Sequence, residues 1–83
     1  NFIFLVLGEN QLTALPESIG NLKSLQELDL KYNQLTALPG SMWQLKNLES
    51  IDLDGNNWEG EWKEISEKDI SAIREFCRHR VTN

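Results

Sequence analysis

The chain has 83 residues, 40% of them hydrophobic and 25% charged, with a formal net charge of −5. That length allows one domain with a modest core. The acidic balance argues against nucleic acid and against an anionic membrane surface as partners, since both call for a basic face.

The chain opens on "NFIFLVL", with no initiator Met, which predicts a piece of a longer protein. The apolar run at residues 2–7 is too short to span a bilayer. No basic segment precedes it and no small-residue cleavage site follows, so it does not read as a signal peptide. Cys77 is the one cysteine, which excludes an internal disulfide. A lone thiol fits a reducing compartment, and a cytoplasmic location is expected unless a targeting segment has been removed.

After the opening run the chain repeats itself. "NQLTALP" at 10–16 returns at 33–39, an offset of 23. At that spacing Asn10, Asn33 and Asn56 align, as do Leu5, Leu28 and Ile51, and Leu7, Leu30 and Leu53. Phe2, Leu25 and Leu48 form a further column, and Ile19, Met42 and Ile65 another. Leu12 and Leu35 align with Trp58, while Leu15, Pro16 and Leu22 recur as Leu38, Pro39 and Leu45. Fixed self-similarity of this length is the mark of a repeat architecture.

One unit reads as follows. "LQELDL" alternates, which sets Leu28 and Leu30 on one side and Glu27 and Asp29 on the other, a short half-buried strand. An Asn then meets the turn, where its amide can satisfy backbone groups, and three in register predict a buried ladder. Pro16 and Pro39 rule out a helix interior or a paired strand at those points. The return segment is therefore expected to be extended or to form short 3₁₀ turns. A single unit cannot bury its apolar edge; stacked units can, with parallel strands along one side.

The pattern "LxxLxLxxNxLxxLPxxIGxLxx" resembles the leucine-rich repeat family over residues 2 to about 65. It is most similar to the 23-residue LPxxIG type found in bacteria, in plant Ras-group repeat proteins and in Roco GTPases. The resemblance implies an α/β solenoid with short parallel strands, irregular or 3₁₀ convex segments and a C-terminal capping helix. The expected division is three coils over 1–65 (about 1–24, 25–47 and 48–65) and a capping helix and tail over 66–83.

The third unit leaves the pattern after "LDLDGNNWEG". Ile70, Ile73, Phe76 and Cys77 then fall at helical spacing, which predicts a helix at about 69–80 with its Ile/Phe face on the third coil. Asp69 is its expected N-cap, with Ser66 an earlier candidate, and Arg74, Arg78 and Arg80 lie toward its C-terminal end. Trp58 and Trp62 are expected in the seam between coil and helix. "DISAIREFCRHR" is itself similar to the helix that follows the repeats in some Roco-type and archaeal or bacterial proteins.

No arrangement for catalysis is evident. Cys77 and His79, two residues apart on a helix, point in different directions. Cys77 reads as a buried small apolar residue and His79 as a solvated helix end. Asp52, Asp54 and Asn56 superficially resemble a calcium loop, but the Gly and the distal Glu miss the required offsets. No phosphate-binding glycine loop, zinc spacing or Ser-His-Asp set is present. No enzyme activity, no cofactor and no metal are therefore expected.

What remains is a surface. The outward strand columns are Phe4, Glu27, Ser50; Val6, Asp29, Asp52; Gly8, Lys31, Asp54; and Glu9, Tyr32, Gly55. In the family this concave face commonly binds a protein. Phe4, Val6, Glu27, Asp29, Lys31, Tyr32, Asp52 and Asp54 are thus the candidate partner-binding residues, and their acidity favours a basic protein surface. The competing reading is an ordinary solvated face of a longer solenoid. The run at 2–7 offers a second contact, because an uncapped apolar edge invites self-association or a partner that supplies a coil.

The function expected is a non-enzymatic protein-interaction module at the C-terminal end of a repeat array. One alternative is the repeat region of a multidomain signalling protein such as a Roco-like GTPase. A bacterial effector carrying a ubiquitin-ligase domain fits less well, because its repeats resemble a unit of about 20 residues.

Overall fold

Each alternating Leu stretch forms a strand of three residues in the computed structural model, which describes residues 3–82. The strands are β1 (Phe4–Val6), β2 (Glu27–Asp29) and β3 (Ser50–Asp52). They pair in parallel in the order β1-β2-β3. Phe4 lies opposite Glu27 and Glu27 opposite Ser50; Val6, Asp29 and Asp52 follow in the same register. The sequence columns are therefore rows across the sheet. Phe2, expected in the column of Leu25 and Leu48, lies outside the described residues.

The return segments are short 3₁₀ helices, one of the two forms expected from the prolines. Pro16 and Pro39 are extended and lead into η1 (Glu17–Asn21) and η2 (Gly40–Gln44). The two segments pack closely. A Cβ on Gly20 would stand 2.7 Å from the Ser41 carbonyl oxygen and from its Cβ, so only glycine permits this approach. The Ser41 hydroxyl donates to the Glu17 carbonyl at 2.6 Å, tying one unit to the next.

The asparagine ladder forms. The Asn33 amide donates to the carbonyls of Leu7 (2.9 Å), Leu30 (3.0 Å) and Lys31 (3.4 Å). Its Oδ1 accepts from the backbone N–H groups of Asn10 and Leu12. Asn56 repeats this one unit on, donating to Leu30 and Leu53 and accepting from Leu35 N–H. Asn33 is buried, whereas Asn10 is exposed and its amide reaches only carbonyls of its own turn, Leu7 and Gly8. Buried polar backbone at each corner is thereby satisfied.

The third unit keeps its strand but not its 3₁₀ turn. Gly60, at φ +59°, turns the chain into α1 (Trp62–Ile65) and then α2 (Ile70–Thr82). Asp69 caps α2 as expected, its Oδ1 accepting from Ala72 N–H at 2.9 Å. α2 meets the third coil as expected, through Phe76 against Trp62, but it also has a partner that was not expected. The helix packs along η2 of the second unit, where a third 3₁₀ turn would have stacked. Gly40 allows this, since a Cβ there would meet Val81 Cγ2. Arg74, expected only to suit the helix dipole, fastens the contact by donating to the carbonyls of Leu45 (3.0 Å) and Lys46 (3.1 Å).

The seam is aromatic, as the sequence suggested. The Trp58 indole donates to the Leu53 carbonyl at 3.0 Å, and its ring centroid lies 6.0 Å from that of Trp62. Trp62 meets Phe76 of α2 edge to face at 4.9 Å. The core runs without a break from Leu25, Leu28 and Leu30 through Met42 and Leu45 to Ile73 and Cys77 of α2. Burial pushes the Cys77 thiol up to about 11. Among the described residues, no helix is long and apolar enough to cross a membrane.

Candidate functional site

The open face of the sheet is a groove of about 660 Å³. Strand alternation puts Leu28 and Leu30 into the core and leaves the intervening polar side chains on this face. Phe4, Glu27, Asp29, Ser50, Asp52 and Asp54 line it, and Ser66 and Glu67, just after α1, form one rim. The structure thus brings together five of the eight candidate residues: Phe4, Glu27, Asp29, Asp52 and Asp54.

The other three stand apart from the groove. Val6 is opposite Asp29 in the register and 58% exposed, but it is not part of the lining. Lys31 pairs with Asp29 at 3.4 Å, and this hydrogen bond and charge hold its ammonium above the usual lysine range. Tyr32 lies at the corner after the strand with φ +57°. Its ring covers Gly55, where a Cβ would fall 2.2 Å from Cδ1.

Glu9, Tyr32 and Gly55 are thus a column of left-handed corners and not outward strand positions. The ladder continues through them, because Glu9 N–H donates to Lys31 and Tyr32 N–H to Asp54. Gly55 was the one sequence signal for this geometry, as glycine tolerates positive φ at least cost.

Two of the acids also have local work. Asp29 Oδ1 accepts from Lys31 N–H at 3.1 Å, and Asp52 Oδ1 from Asp54 N–H at 3.2 Å. These bonds stiffen the strand ends; the second oxygen of Asp29 is taken by Lys31 Nζ, whereas Asp52 keeps its second oxygen for a partner. Glu27 and Asp54 have no such bond and are the freer charges of the groove. Ser66 and Glu67 were not anticipated as groove residues. They lie beyond the repeat, where periodicity carries no information.

The groove is lined by carboxylates, two serines and one aromatic ring, with no His, Cys or Lys among its lining residues. Among the described residues, no group of three or more His, Cys, Asp or Glu is placed to hold a metal ion. The groove lining offers carboxylate oxygens, which accept hydrogen bonds, and one apolar ring, Phe4.

A family model described as leucine rich repeat matches residues 4–57. No curated protein matches the chain.

Proposed function

Because the chain belongs to the leucine-rich repeat family, whose domains generally serve as protein-interaction modules, we propose that it binds a protein without acting as an enzyme. In this reading it is the C-terminal part of a solenoid of the LPxxIG type, closed by α2 as a capping helix. The partner presents a basic surface to the groove over the strands. One observation carries this: Glu27, Asp29, Asp52, Asp54 and Glu67 converge on one groove whose lining contains no Lys or Arg. Such a field steers a basic partner and sets specificity, while Phe4 supplies apolar contact.

The test is capture of partners from a native lysate by the chain and by a Glu27→Lys/Asp54→Lys/Glu67→Lys variant. These three acids leave the strand-end bonds of Asp29 and Asp52 intact, and circular dichroism verifies the fold. A protein retained by the original and lost by the variant supports the reading; equal capture by both defeats it.

The apolar edge supports a second contact. β1 is an edge strand; Ile3 just before it is 42% exposed, and Phe4 and Val6 within it are 48% and 58% exposed. Leu22, 44% exposed, lines a mostly apolar cleft with Ile3, Phe4 and Leu25. We read this edge as a site of self-association or of pairing with a partner's strand. Sedimentation equilibrium decides the first: a mass independent of concentration rules out self-association here.

A further inference from the structure

The 3₁₀ side of the molecule carries the opposite charge to the groove. Two clefts meet there at Trp43. One, about 520 Å³, lies between η2 and α2 and is lined by Trp43, Lys46, Ser71, Arg74, Glu75 and Arg78. The other, about 390 Å³, is lined by Lys23, Trp43, Gln44, Lys46 and Asn47.

Trp43 stands at the repeat position of Gly20. Gly20 is buried under Ser41 of the next unit. No third 3₁₀ turn follows Trp43, so its large ring is accommodated half-buried beside α2. Lys46 Nζ sits 5.6 Å from the ring centroid, and the shielded indole N–H has no acceptor.

Positive charge around the ring outweighs the one carboxylate in the two clefts, Glu75, which is paired with Arg78. Arg74 Nη1 donates to the neutral carbonyls of Leu45 and Lys46, which fixes the guanidinium without neutralising it and leaves Nε and Nη2 for a carboxylate. Among the described residues, Lys23, Lys46 and Arg74 enter no ion pair, whereas Arg78 is paired with Glu75. An aromatic ring flanked by cations held in place complements a chain that alternates carboxylates with an apolar side chain.

We propose that the Trp43 cleft between η2 and α2 is a second binding surface, and that it takes an acidic peptide segment. Carboxylates of the peptide lie against Lys46, Arg74 and Lys23, and an apolar side chain packs on the Trp43 indole. A nucleic acid fits less well. Glu75 stands in the cleft, the chain carries −5 overall, and a few cations neutralise too few phosphates. The surface differs from the groove in location and in sign, so the chain can hold a basic and an acidic partner at once.

The probe is a short fluorescein-labelled peptide of Glu and Asp with one central Phe, followed by anisotropy at about 50 mM salt, where surface charge is weakly screened. Saturable binding is expected, weakening as salt rises. Lys23→Glu/Lys46→Glu should lower affinity roughly tenfold or more. Lys63→Glu/Lys68→Glu, with the same change in net charge but on or just after α1, should leave it within about twofold. Trp43→Phe should abolish the change in tryptophan emission on binding. All four lysines are exposed, so these variants should keep the fold.

The proposal is overturned by no binding, by equal loss in both lysine pairs, or by tighter binding of a single-stranded oligonucleotide. It is overturned equally if sedimentation shows a dimer that Lys23→Glu/Lys46→Glu dissolves, since the occupant would then be the acidic groove of a second copy.

Discussion

The β1 side and the α2 side of the described residues differ in how the core is covered. On the α2 side the helix lies on η2, and Ile73 and Cys77 are fully buried. On the β1 side Leu5 and Leu7 are only half-buried, and Ile3, Phe4, Val6 and Leu22 stay largely exposed. Leu28, one column-mate of Leu5, is 2% exposed. The same residue type at the same repeat position is thus core or surface according to what is laid against it. A repeat unit specifies half an interface, and the neighbour supplies the other half.

Substitutions can break this comparison. Ile73→Ala should cost about 3 kcal/mol, because it opens a cavity under α2, while Leu22→Ala on the exposed side should cost about 0.5 kcal/mol. Urea denaturation measures both, and equal costs would mean that the two sides do not differ.

The asparagines sharpen it. Asn33→Ala removes five hydrogen bonds and strands the N–H groups of Asn10 and Leu12. A loss of about 2–3 kcal/mol is expected, against about 1 kcal/mol or less for exposed Asn10→Ala.

The glycines test the two junctions. Gly20→Ala drives a Cβ against the Ser41 backbone and should cost about 2 kcal/mol in the same denaturation assay. Gly40→Ala meets only the Val81 side chain, which can move, so a loss below about 1 kcal/mol is expected.

The last effect, confined to alkaline pH, concerns Cys77. Its folded pKa lies above the unfolded value, so the stability it contributes is complete below pH 9 and is lost as pH rises toward about 11. Cys77→Ala should flatten that part of the stability–pH curve relative to the original chain. Identical slopes would show that the thiol is open to solvent.

The repeated part of the fold was legible because its cause is periodic. Leu28, Leu30 and the asparagines recur at fixed spacing, and Pro16 and Pro39 leave few conformations for the segments that follow. Asp69 was legible as a cap for a local reason. The course of the chain after Gly60 was not. That α2 lies along η2 as well as on the third unit rests on Arg74, whose long-range bonds no spacing announces.

In the groove, the strand acids followed from alternation. Tyr32 did not, since Glu9 and Tyr32 are ordinary side chains in a left-handed corner that only Gly55 hints at. Ser66 and Glu67 reach the rim by way of a turn outside the repeat.

The inter-unit bonds of the ladder have a kinetic consequence. The side-chain hydrogen bonds of Asn33 and Asn56 to the preceding unit span only 21 to 26 residues. Each unit therefore closes a loop of nearly the same length as the last, at nearly the same entropic cost. Folding of this chain can start at any adjoining pair and grow by accretion, and its rate should depend little on how many units are joined in series.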